Sequence, residues 1–391
     1  MSLLSDYERR TAWKYEPVRG YFHTAEGLTN KIAEDGGYKF FPGTTVVFRL
    51  GKKATYMIRL MQKTLEHKLK DTGMLAEQLP VSALHITLHD LVSPERCESD
   101  PKDAEAYNRE MRVSLEKAAE TVEGIRRDFG GRKIRLTADR IVNMVSKSLV
   151  LMLKPQTEED YALLKELYGR FDEIISLPYP LTPHITLAYY KPGPIDGDRL
   201  GWAIDSSQIC SENAPVFEFS PMDLSAQAFL DMQNYLDVPA RICFCCDGGL
   251  NRSVMAANIL THMAEKRGVK AVGEARSALG YTEGTAVPQE VWDTLEAHGI
   301  RPDKTYSCAR RLEDEDVARF TDFAGISFAA LDRISWLDLT GERQYDAIGY
   351  FYGVRDPQYG EISYEQAFTE LQEQVSVWLD AFEAKCKLFI K

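Results

Sequence analysis

Two histidines and two threonines recur at one spacing: His85-Ile-Thr-Leu88 and, ninety-nine positions later, His184-Ile-Thr-Leu187. In a strand, alternate side chains share a face. Each copy therefore presents an imidazole beside a hydroxyl, His85 with Thr87 and His184 with Thr186, while the isoleucine and leucine pack behind. Imidazole titrates near neutrality, so one of two such rings can take a proton from water while the other gives one to a departing alkoxide. Hydrolysis of a phosphodiester needs both transfers. The threonine hydroxyls would donate to the non-bridging oxygens, where negative charge builds. This chemistry requires no metal.

The surroundings repeat as well. Thr44–Leu50 reads as a strand and Ala54–Lys70 as a helix before the first tetrapeptide; Leu149–Lys154 and Glu158–Phe171 read the same way before the second. Two related lobes facing one cleft are expected. His89 should fall on the face of His85 as an accessory residue, its counterpart being Ala188. Tyr190 and Lys191 are expected in core or rim packing, and His23, His67, His262 and His298 lack any such context. A lone His-x-Thr is more simply a buried strand histidine; matched copies in matched contexts favour function. At these residues the chain resembles the 2H phosphoesterase family, over about its first three fifths, and Asp35-Gly-Gly-Tyr-Lys-Phe-Phe-Pro-Gly-Thr-Thr45 resembles the opening of a less-studied branch of that superfamily. The resemblance implies a bilobal α+β domain acting on 2′,3′-cyclic phosphates of nucleotides or RNA ends.

A second chemistry lies downstream. Pro239-Ala-Arg-Ile-Cys-Phe-Cys-Cys246 reads as a buried strand, Asp-Gly-Gly-Leu-Asn-Arg-Ser253 as a turn, and Val254–Arg267 as a helix. Strand, glycine turn and helix N-terminus make an anion cradle of unpaired N–H groups. Cys246 and Arg252 frame it as C-x5-R: a thiolate aimed at phosphorus and a guanidinium fork on the equatorial oxygens, with Ser253 donating to the sulfur. A general acid must come from elsewhere, and the turn Asp356-Pro-Gln-Tyr-Gly360 offers one.

The order of strand, C-x5-R-S, helix, Ala275-Arg-Ser-Ala278, Leu295-Glu-Ala-His-Gly-Ile300, Asp-Pro-x-Tyr-Gly and a last helix resembles the low-molecular-weight protein tyrosine phosphatases across Ala240–Lys391. The resemblance implies an α/β parallel-sheet domain with Cys246 as nucleophile, Arg252 as phosphate clamp and Asp356 as acid. Gly248, Gly249, Asn251, Ser253 and Tyr359 would hold the substrate. Three positions depart from the pattern. Gly249 replaces an asparagine that props the loop and is expected to loosen it; Asn251 replaces a redox-protective cysteine; Gln358 replaces an aromatic wall.

The 391 residues suffice for two domains, expected at 1–237 and 238–391. A net charge of −12 argues against duplex DNA as a partner. Seven cysteines, three in one apolar strand, suit a reducing compartment better than a disulfide framework. Met1–Arg10 does not read as a signal peptide, no apolar run reaches spanning length, and the cytoplasm is the expected location, without membrane. Glu313-Asp-Glu-Asp316 is expected to be a solvated helix start.

The combined expectation is a bifunctional hydrolase without metal or cofactor, opening a cyclic phosphodiester and stripping a phosphomonoester, two steps that could act in sequence. Two alternatives stand beside it: an independent phosphodiesterase fused to a protein phosphatase for phosphotyrosine or phosphoarginine, and a sensor that binds a phosphorylated ligand without turnover.

Overall fold

The computed structural model describes residues 3–12, 17–208, 214–303, 307–338, 340 and 351–389. The chain divides into two compact units, Met1–Leu236 and Asp237–Phe389. The first runs α1 (Leu3–Thr11), β1 (Tyr21–His23), β2 (Gly43–Arg49), α2 (Lys52–Leu69), β3 (His85–Asp90), α3 (Ala104–Phe129), β4 (Ile134–Met144), β5 (Ser148–Pro155), α4 (Glu158–Asp172), β6 (His184–Tyr189), β7 (Pro194–Asp196), α5 (Gly197–Asp205), β8 (Val216–Phe219) and β9 (Leu224–Phe229), with β10 (Tyr235–Val238) at the boundary.

One sheet of eight strands, ordered β10-β9-β2-β3-β6-β5-β4-β8, organises this unit. Pairing is antiparallel from β9 to β8. Its centre is built from two matched pieces, β2-α2-β3 and β5-α4-β6, which meet where Ile86 pairs with Ile185. The expected pair of lobes is thus one continuous sheet, with the two tetrapeptides on neighbouring strands. Each helix packs on the other piece's strand, α2 on β6 and α4 on β3. Buried Gln62 of α2 donates to Leu187 O at 2.9 Å. A capping box of Thr157 and Asp160 starts α4.

A β-bulge follows each tetrapeptide's threonine. Thr87 faces Val47 but His89 faces Val46, and Thr186 faces Val150 but Ala188 faces Leu149, so Leu88 and Leu187 are the extra residues. The bulge corrects the placement of His89, because an extra residue inverts the facing of everything after it. His89 turns away from His85 to lie 1% exposed against Tyr168 and Phe171 of α4. Its Nδ1 meets Asp90 O at 2.7 Å and its Nε2 meets Asp172 Oδ1 at 3.2 Å. Burial holds its pKa below the ordinary imidazole value against the pull of Asp172. Tyr190 is a core residue, fully buried with its hydroxyl on Asn143 Oδ1 at 3.1 Å. Leu224–Phe229 and Tyr235–Val238 form a further pair of strands, the first buried along its whole length because both its faces are covered.

The second unit follows the order β11 (Ala240–Cys246), α6 (Arg252–Arg267), β12 (Ala271–Ser277), α7 (Gln289–Ala297), α8 (Asp316–Arg319), β13 (Asp322–Gly325), α9 (Phe328–Ser335) and α10 (Tyr364–Phe389). Among the described residues its sheet is β12-β11-β13, parallel throughout, as expected of an α/β domain. Cys243, Phe244 and Cys245 of β11 are fully buried, so the central strand reads as a continuous apolar run. Helix α6 packs close on β12: a Cβ on Gly273 would lie 2.7 Å from the Ala257 backbone. Asp316 is not solvated. It is 2% exposed and accepts from Arg276 Nε at 3.1 Å and Nη2 at 3.0 Å, because a buried guanidinium needs a carboxylate there. No described helix is long and apolar enough to cross a membrane.

Candidate active sites

The first site lies on the face of the eight-stranded sheet turned away from Ile86 and Ile185. With those residues opposed, antiparallel geometry sets His85 across from Thr186 and Thr87 across from His184. The structure thereby brings together all four residues singled out by the repeat. On the same face, Arg49 is paired across from His85 and Met152 across from His184. His184 Nδ1 lies 2.8 Å from Thr182 O. A carbonyl only accepts, so Nδ1 carries hydrogen and Nε2 of the neutral ring keeps its lone pair for a proton. The His85 ring meets Tyr235 edge-on at 5.0 Å.

Tyrosines crowd this face. Tyr189 hydrogen-bonds Thr186, and burial pushes its phenol up to about 12. Tyr38 meets the Tyr189 ring edge-on at 6.1 Å, and burial raises Tyr235 well above the ordinary phenol. All three stay protonated near neutrality; Tyr38 gives its hydrogen to Glu77 O at 2.7 Å. Arg49, Tyr189 and Tyr235 escaped the sequence reading; Tyr189 alone carried a signal, lying two residues beyond the second repeat.

The second site is the turn from β11 into α6. Cys246, 1% exposed, ends the strand. Its sulfur accepts from Gly249 N at 3.3 Å and sits 3.2 Å from the fully buried Ser253 Oγ. These contacts lie beside the N-terminus of a sixteen-residue helix, whose dipole favours negative charge. Arg252, 5% exposed, gives Nη1 to Val354 O at 2.9 Å, while Nη2 meets Asp247 Oδ2 at 2.8 Å and Asp356 Oδ2 at 3.0 Å. Burial works against its charge, but Cys246, Asp356 and Asp247 together hold the guanidinium above its ordinary value. Its Nε is buried without a partner, a donor left for an anion.

Gly249 sits where the backbone favours glycine. Its φ of +68° is open to glycine, and a Cβ there would lie 2.8 Å from Ser277 Cβ. Other residues supply the missing prop. Ser277 Oγ donates to Asp247 O at 3.0 Å and Thr282 Oγ1 to Gly248 O at 2.7 Å, while Ser327 Oγ donates to Asp247 Oδ1 at 2.6 Å. Sequence reading gave no role to Ser277, although it lies within the Ala275–Ala278 landmark, to Thr282 and Ser327, which carry no local signal, or to Asp247, which directly follows the cysteine.

Asp356 starts the turn Pro357–Tyr359, and its Oδ1 accepts from Gln358 N at 3.1 Å and Asn251 Nδ2 at 3.0 Å. The structure therefore gathers Cys246, Gly249, Asn251, Arg252, Ser253 and Asp356 around one loop. Gly248 is fixed through its carbonyl, and Tyr359, 70% exposed, stands on the Asp356 turn. Among the described residues, no group of three His, Cys, Asp or Glu could hold a metal ion.

Residues 241–388 match the family described as low molecular weight phosphotyrosine protein phosphatase. No curated protein matches the chain. Among solved structures, YfkJ from Bacillus subtilis is 20% identical, covering 37% of this chain and 96% of that one, with a TM-score of 0.33. SP-PTP, a low molecular weight protein tyrosine phosphatase from Streptococcus pyogenes, is 20% identical over 36% of this chain and 92% of its own, with a TM-score of 0.31. The Drosophila arginine phosphatase DARP is 18% identical over 36% and 96%, also with a TM-score of 0.31. The C-terminal part of this protein, residues 241–388, is a low molecular weight phosphotyrosine protein phosphatase domain, of a family of hydrolases acting on phosphoric monoesters.

Proposed function

We propose that the chain is a bifunctional phosphoesterase. In the C-terminal domain, Cys246 attacks the phosphorus of a monoester, Arg252 clamps the equatorial oxygens, and Asp356 protonates the departing oxygen. Gly249 N and Ser253 Oγ hold the sulfur as an anion before attack and after release. Asp356 then takes a proton from the water that cleaves phosphocysteine. The observation that supports this most is the convergence of donors on Cys246 Sγ beside an Arg252 Nε that lacks a partner. Hydrolysis of p-nitrophenyl phosphate should fall at least about a thousandfold in Cys246→Ser. Full activity in that variant would place the chemistry elsewhere.

In the N-terminal unit, His85 and His184 serve as the acid–base pair for a cyclic 2′,3′-type nucleotide or RNA-end phosphodiester, with Thr87 and Thr186 on the non-bridging oxygens. The opposed register of the two tetrapeptides supports this reading. Product of the first site then has the chemistry of a substrate for the second.

A second reading makes the C-terminal domain a protein phosphatase for phosphotyrosine or phosphoarginine. It draws support from exposed aromatic residues on the segments that hold the loop: Tyr281 beside Thr282, Phe328 beside Ser327, and Tyr359 on the Asp356 turn. Rates on a phosphopeptide panel against nucleotide monoesters separate the two, since strong preference for peptides selects the second reading.

A further inference from the structure

Asn251 is the N-cap residue of α6, yet its side chain makes no cap hydrogen bond. Asparagine at this position ordinarily accepts from the first turn of its helix. Here the side chain is 2% exposed and turned the other way. Its Nδ2 donates to Asp356 Oδ1 at 3.0 Å and approaches Gln358 Oε1 at 3.4 Å, while its Oδ1 stays buried without a partner. A forgone cap and an orphaned acceptor both disfavour this rotamer, so the bond to Asp356 is what holds it.

Among the described residues, three donors face the Asp356 carboxylate: Asn251 Nδ2 and Gln358 N on Oδ1, Arg252 Nη2 on Oδ2. Donors on both oxygens fix the orientation of the carboxylate. A phosphoryl group on Cys246 would draw the Arg252 fork to its own oxygens. Asn251 and the turn amide would then be the donors left on the carboxylate.

We propose that Asn251 is a positioning residue for the second half of the monoester reaction, holding Asp356 as the base that activates water against phosphocysteine. The inference rests on the phosphatase reading above. In that step water gives one proton to Asp356 while its oxygen bonds to phosphorus. The P–S bond breaks, and its electron pair returns to Cys246 as thiolate, caught by Gly249 N and Ser253 Oγ.

The test is rapid-quench kinetics on p-nitrophenyl phosphate with the full chain, comparing wild type, Asn251→Ala and Asn251→Ser. Serine can cap α6 but cannot reach Asp356, so that variant keeps the helix start. Both variants should lose about 10- to 100-fold in kcat, with KM falling in parallel and kcat/KM within about twofold of wild type. Phosphoenzyme should accumulate as a larger burst. A loss carried equally by kcat and kcat/KM without trapped phosphoenzyme would assign Asn251 to loop structure and overturn the inference, as would unchanged kinetics. A wild-type protein that forms no phosphoenzyme, with an active Cys246→Ser, would instead remove the phosphatase reading and the inference with it.

Discussion

Ile86 of β3 pairs with Ile185 of β6, the second residue of one tetrapeptide facing the second residue of the other. Exchanging the two copies leaves the set unchanged: each imidazole has a threonine two residues along its own strand and another across the ladder. In the acid–base pair proposed above, the two rings are then distinguished by surroundings alone. Tyr235 flanks His85 at 5.0 Å, while Thr182 O orients His184 at 2.8 Å.

Equal service by the two copies has a kinetic signature. His85→Ala and His184→Ala should each lower kcat/KM on a 2′,3′-cyclic nucleotide by about a hundredfold or more, and Thr87→Ala and Thr186→Ala by roughly tenfold. Initial rates followed by chromatography check this. Loss confined to one copy would contradict the paired mechanism.

Gly249→Ala should disable the cysteine loop. A left-handed conformation costs a non-glycine residue about 1–2 kcal/mol, and the added Cβ would meet Ser277 Cβ at 2.8 Å and Ser277 N at 2.9 Å. The expected outcome is destabilisation of about 2 kcal/mol by denaturant titration and a loss of roughly a hundredfold in phosphatase activity.

Asp247 occupies Arg252, the proposed phosphate clamp. Its carboxylate lies 2.8 Å from Arg252 Nη2 and its side chain is 29% exposed, so the pair is partly screened and worth about 1 kcal/mol. Asp247→Asn should lower the inhibition constant of inorganic phosphate by roughly fivefold. A weaker inhibition would mean that Asp247 orients Arg252 rather than occupying it.

The cysteines should separate by pH. Burial raises the thiols of Cys243 and Cys245 well above the ordinary value and that of Cys386 to about 11, so all three are protonated at pH 7 and slow with iodoacetamide. Cys246, with donors on its sulfur, should be alkylated there and protected by phosphate, alongside exposed Cys308. Towards pH 10, Cys386 should begin to react before Cys243 and Cys245. Peptide mapping by mass spectrometry reads the order.

The β4–β5 hairpin turns through Val145 and Ser146 at φ of +46° and +56°. Two-residue turns of this kind favour Asn-Gly, and a β-branched residue there is strained. Replacing the pair by Asn-Gly should raise stability by about 1 kcal/mol, visible as a higher denaturation midpoint.

What the sequence showed and hid follows from the range of the forces involved. The repeat, the C-x5-R-S loop and the Asp356 turn are local signals, and the helices and strands around them follow apolar period and glycine placement. His89 could not be placed because a bulge inverts facing without marking the sequence; only the Val46/Val47 register shift reveals it. Asn251 read as a missing cysteine, and its bond to Asp356 spans 105 residues. Ser277, Thr282 and Ser327 prop the loop through backbone carbonyls and one carboxylate, contacts that any hydroxyl could make.

The most direct test of two phosphoesterase sites in one chain is a phosphorus NMR time course with 2′,3′-cyclic nucleotides, because cyclic ester, monoester and free phosphate resolve in one spectrum. Wild type should pass through monoester to phosphate, Cys246→Ser should stop at monoester, and the His85→Ala, His184→Ala double variant should leave the cyclic ester intact. Turnover of the cyclic ester by the double variant, or phosphate release by Cys246→Ser, would contradict the account.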